Sequence, residues 1–143
     1  MTFGFFGAAA ALGISAIGSA IGLAIAGQST IGAWKRCYLN NKPAPFSLVA
    51  FAGAPLTQTL YGFLLMNRML TSSQSDWFLL GLGLVCGVSI AASAIAQGKA
   101  SASGSDAMAE TGKGFVQYIT IVGLCETVAL FVMGFGMAMI LAF

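Results

Sequence analysis

The chain has 143 residues, of which 58% are hydrophobic and only 7% charged, and its net charge is +2. Soluble domains carry about 25% charged residues, so six Lys+Arg and four Asp+Glu cannot solvate a globule of this length, and the composition is that of a membrane protein. The basic residues form no tract, which argues against nucleic acid as a partner, and the lack of histidine excludes a Cys/His zinc site and a Ser-His-Asp triad.

Four apolar segments follow in chain order, each long enough to cross the hydrocarbon core as a helix of ~20 residues. The first covers residues 3–33 and is studded with Gly4, Gly7, Gly13, Gly18, Gly22, Gly27 and Gly32. Small residues let helix backbones approach closely in lipid, and this density predicts a crowded inner layer. No basic stretch precedes the segment, so it reads as a retained helix, not a cleaved signal. The connection 34–45 holds Lys35, Arg36 and Lys42, half of the basic residues, and no acid. The second segment, 46–70, contains Pro55, which lacks an N–H and is expected to kink the helix and free an upstream carbonyl. A short polar link leads to the third segment, 77–98, rich in Gly and Ala. The connection 99–114 is Ser-rich with mixed charge. The fourth segment covers 115–143. The positive-inside rule puts 34–45 in the cytoplasm of a cell-membrane protein; four spans then put 99–114 on the same side and both termini outside.

The chain repeats itself. Gly13-Ile14-Ser15 and Ser19-Ala20-Ile21 recur as Gly87-Val88-Ser89 and Ser93-Ala94-Ile95, at an offset of 74. Gln58-Thr59-Leu60 and Phe63 match Glu126-Thr127-Val128 and Phe131 at an offset of 68. Duplication is a fold-level signal. It predicts an all-α membrane protein of four transmembrane helices, arranged as two tandem helical hairpins, residues 1–72 and 73–143.

Glu126 is the one carboxylate inside a long apolar stretch. A charge at such depth costs at least ~2.5–3.5 kcal/mol, so an intramembrane acid marks an ion or proton site by default. Its repeat partner is Gln58, so one hairpin keeps an acid and the other a neutral amide. Thr57, Gln58 and Tyr61 lie close on one helical stretch, beside Pro55. Gln97 adds a further amide oxygen. Oxygen ligands of this kind suit a hard cation, whereas a proton-carrying acid needs only a dry pocket. The residues alone leave both open.

Three motifs carry a resemblance. Pro55-Leu56-Thr57-Gln58-Thr59-Leu60-Tyr61-Gly62-Phe63, Ile95-Ala96-Gln97-Gly98-Lys99 and Glu126-Thr127 are similar, in this order, to the P-x-T-Q-x-L-Y-G-F, I-A-Q-G-K and E-T motifs of the proteolipid (K or c) of V-type ATPases, closest to the bacterial sodium-translocating form. Leu56 stands where that motif has glycine, and Ala54 where it has leucine. The resemblance implies that Glu126, Gln58, Thr57 and Gln97 bind Na+, with H+ as the alternative. It also implies that the backbone carbonyl of Ala54 is a further ligand and that Tyr61 hydrogen-bonds Glu126. It further implies a rotor ring of identical copies in membrane lipid, a stator subunit with an essential arginine, and central-stalk subunits. The chain has no P-loop, so ATP hydrolysis is expected on other subunits. A different class, a small proton-coupled four-helix transporter, fits the length and the lone acid but not the acid-to-Gln exchange between hairpins.

Overall fold

The computed structural model describes residues 2–142, all helix and short links. Phe143, assigned above to the end of the fourth helix, lies outside the described residues. Helix α1 covers Phe3–Leu39. It stops where the Asn40 N–H is shared between the Arg36 and Cys37 carbonyls, Asn41 turns left-handed at φ 51°, and Pro43 and Pro45 forbid continuation. The second span, Leu48–Leu70, is two helices, α2 (Leu48–Gly53) and α3 (Thr57–Leu70), joined by a 3-10 turn at Ala54–Leu56. At Pro55 the ring removes one helical donor and the backbone tightens into this turn. Helix α4 covers Asp76–Thr111; the Ser75 hydroxyl caps its start, accepting from the Phe78 N–H, and Gly112 ends it at φ 66°. Helix α5 covers Phe115–Ala142. Among the described residues four helical spans are thus apolar and long enough to cross a membrane.

Two boundaries differ from the sequence reading. Helix α1 runs past residue 33 to Leu39, and α4 runs past residue 98 to Thr111, so most of the polar connections is helical. Hydropathy marks where lipid ends, not where a helix ends, and Ser, Ala and Lys continue a helix until a breaker arrives. At 1.5 Å per residue, α1 and α4 reach about 55 Å, well beyond the ~30 Å hydrocarbon layer. Their polar ends are tied together. Ser29 Oγ donates to the Ala102 carbonyl at 2.8 Å, the Thr30 and Ser105 hydroxyls meet at 2.9 Å, and Arg36 pairs with Asp106. The ion pair is exposed and adds little to stability.

Helices α1 and α4 run parallel and touch backbone to backbone. A Cβ on Gly83 would overlap the Gly7 backbone, one on Gly18 the Ala91 backbone, and one on Gly98 the Gly22 backbone. These contacts join positions about one repeat offset apart, so equivalent turns of the two halves lie side by side. Helix α3 packs on α1, α5 packs on α4, and α3 meets α5. Two apolar clusters fill the inter-helix space. One holds Ala8, Ala11, Leu65, Met69, Leu79 and Ile140 at one end. The other holds Ala33, Leu48, Phe51, Met108 and Val122 at the end of the long polar connections. The polar side chains described next lie between them.

Candidate functional site

The 3-10 turn at Pro55 aims α3 so that its first residues face α4 and α5. Thr57 Oγ1 lies 3.1 Å from the Ala54 carbonyl and 3.2 Å from Gln58 Oε1, so its single proton has two acceptors. The Ala54 carbonyl also takes the Thr57 N–H that closes the 3-10 turn. Gln58 is fully buried, 0% exposed, and its Nε2 donates to Gln97 Oε1 at 2.6 Å. Gln97, 1% exposed, is the centre of the cluster. Its Nε2 donates to the Val122 carbonyl at 3.1 Å and to Glu126 Oε2 at 3.3 Å. Tyr61 donates its hydroxyl proton to Glu126 Oε1. The carboxylate therefore has one donor on each oxygen, one from each half of the chain.

All six residues singled out in the sequence, Ala54, Thr57, Gln58, Tyr61, Gln97 and Glu126, fall into this one network. Gln97 is the link between Gln58 and Glu126. The sequence reading missed two contributors. Ser93, one turn before Gln97 on the same face of α4, donates to the Cys125 carbonyl at 2.7 Å and fixes the turn of α5 that carries Glu126. The Val122 carbonyl holds the Gln97 amide. The four-residue spacings from Ser93 to Gln97 and from Val122 to Glu126 were legible; the facing of the two helices was not.

Chemically the cluster is all oxygen and amide. Among the described residues no group of three His, Cys, Asp or Glu side chains could hold a metal ion. One carboxylate contributes a single negative charge, and carbonyl, amide and hydroxyl oxygens supply neutral dipoles. Such a set matches a monovalent ion or a proton, because a divalent ion would leave a net positive charge between the two apolar clusters. Glu126 lies about 16 Å along α5 from Phe115, a rise of about half the ~30 Å hydrocarbon layer.

Residues 80–141 match the family of the ATP synthase C-subunit. The chain is also 34% identical over 134 residues to a protein of Methanocaldococcus jannaschii called A-type ATP synthase subunit K. That alignment takes in 92% of this chain and 58% of the relative, so the chain spans somewhat over half of that protein's length.

Proposed function

Because this chain belongs to the proteolipid family of the ATP synthase C- and K-subunits, we propose that it is a non-catalytic rotor subunit which binds Na+ at Glu126 and carries it through the membrane. The observation that carries the reading is the network around Gln97. One buried amide ties the neutral half-site on α3 to the acid on α5. A proton carrier requires no such convergence of Thr57, Gln58 and Gln97 oxygens, whereas a cation stripped of its water does.

Each residue has a share in the work. Glu126 neutralises the ion. Tyr61 holds one carboxylate oxygen in place, and the other, which accepts from Gln97, turns to the ion. The oxygens of Thr57, Gln58 and Gln97 replace hydration, and Thr57 rotates its proton away from Ala54 so that both oxygens turn to the ion. Ser93 keeps α5 in register. The apolar clusters on either side keep the loaded site dry, so release needs a partner surface that opens it. A stator arginine is the partner whose charge competes with the ion for Glu126, and identical copies in a ring bring successive sites to it. The central stalk couples that ring to ATP turnover on other subunits. The polar ends of α1 and α4, including residues 34–45 and 99–114, face the cytoplasm on this reading.

A carboxyl-reactive carbodiimide tests the ion directly, because it modifies a protonated acid and a bound cation displaces the proton. Labelling of Glu126 in the assembled protein at fixed, near-neutral pH is expected to fall as Na+ rises through the millimolar range. Labelling that ignores Na+ and responds only to pH overturns the sodium reading in favour of protons.

A further inference from the structure

The repeat carries one hydroxyl into two different settings. Ser19 and Ser93 occupy equivalent positions, 74 residues apart. Ser93, 5% exposed, donates to the carbonyl beside Glu126. Ser19, 2% exposed, has a hydroxyl without any partner among the described residues. Buried polar atoms left unpaired are rare and ask for a reason.

The helix register shows what Ser19 faces. A Cβ on Gly22 would stand 2.9 Å from Pro55 Cβ, and one on Gly62 would stand 2.7 Å from Ser15 Cβ. Helices α1 and α3 are antiparallel. Three residues back from Gly22 and four on from Ser15 both arrive at Ser19. The same steps from Pro55 and Gly62 arrive at Gln58. Ser15, Ser19 and Gly22 share one face of α1. Gln58 has a loose end of its own. Its Nε2 carries two N–H groups; one goes to Gln97 Oε1, and the other has no acceptor among the described residues. An unpaired acceptor and an unpaired donor thus lie at the same level, in the layer between α1 and α3.

We propose that Ser19 is a positioning residue of the ion site, its hydroxyl oxygen accepting the second N–H of Gln58 when the site is loaded. The assignment rests on the cation reading above. Its physical purpose is polarity. A primary amide turned end for end presents N–H to a cation instead of oxygen. Gln97 alone fixes one N–H; with Ser19 holding the other, the Gln58 oxygen is committed to the ion side. Ser93 and Ser19 then do parallel work in the two halves, one steadying the acid's helix and the other the amide.

The test is carbodiimide labelling of Glu126 in the assembled full chain, read as the Na+ concentration giving half protection. Ser19→Ala is expected to raise it about tenfold, the loss of one hydrogen bond that aligns a ligand. Ser101→Ala is the control. It removes an equally unpartnered buried hydroxyl in the register of Phe51, on whose ring the next turn, at Gly104, packs, and it should leave half protection unchanged. In a Gln58→Ala background, Ser19→Ala should add nothing, because it acts through the amide. If the alanine variant does not assemble, Ser19→Cys, nearly isosteric and a weak acceptor, must show the same shift. A wild-type response in Ser19→Ala, or an additive effect with Gln58→Ala, overturns the assignment while leaving the sodium reading intact. A wild-type protein that Na+ does not protect overturns both.

Discussion

Glu126 is held by two donors of unequal standing. Tyr61 makes one contact, to Oε1, whereas Gln97 joins Glu126, Gln58 and the Val122 carbonyl. Tyr61→Phe removes one hydrogen bond to a charged group, about 1.5–3 kcal/mol, and should raise half-protecting Na+ about tenfold or more. On the sodium reading Gln97→Ala removes a ligand, and it also strands a buried Gln58 N–H, so its loss should be larger, on the order of a hundredfold. Labelling both variants side by side checks the order, and a smaller effect at Gln97 contradicts the central place given to it. The candidate site was legible at this scale because its members are chemically conspicuous. An acid and two amides in apolar runs need a reason wherever they occur. Ser93 and Ser19 were not legible, because a serine in a membrane helix usually bonds its own backbone, as Ser15 does to the Ala11 carbonyl. Only the facing of helices distinguishes the three.

Between elements, the decisive contact is α1 against α4. Backbone meets backbone at Gly7, Gly18, Gly22, Gly83 and Gly98, where added carbon has no room. Lipid gives helices no hydrophobic reason to associate, so close van der Waals approach must supply it. Gly83→Ala places a methyl on the Gly7 backbone and should force the pair apart, costing about 1–3 kcal/mol. Gly112→Ala strains only a helix end at φ 66°, at about 1 kcal/mol, with open space around the new methyl. Thermal dissociation in mild detergent should therefore come at a clearly lower temperature for Gly83→Ala than for Gly112→Ala. The glycine density of the first span announced this layer, but not that its partner is the third span. The offset of 74 contained that fact, since parallel neighbours displaced by one repeat bring like turns together. What hydropathy could not supply was the length of α1 and α4, because the extra turns are polar: those of α4 bond to Ser29 and Thr30 through Ala102 and Ser105, and Arg36 in the last turns of α1 pairs with Asp106.

As a whole molecule, the chain is an inner pair of long parallel helices with a shorter outer span on each. The large side chains of the outer face, among them Leu60, Phe63, Leu124, Val128, Phe131 and Phe135, are exposed in the single chain and suit lipid or neighbouring copies. On the rotor reading the purified protein should run in mild detergent as a closed multimer of many chains; a monomer or dimer contradicts it. Asn41→Cys, in the turn after α1, should react with an impermeant thiol reagent from the cytoplasmic face only, and labelling from the outside reverses the orientation. The junction of Gln58 and Gln97 has a last consequence, in gearing. On the rotor and sodium readings each chain would contribute two hairpins to the circumference but one ion-carrying acid, the amide at the other position serving as a ligand of the first. A wheel so built has half as many teeth as its size allows. On those readings the same ATP turned over per revolution would be divided among fewer ions, so each ion could be driven up a steeper electrochemical gradient, at the cost of moving fewer of them.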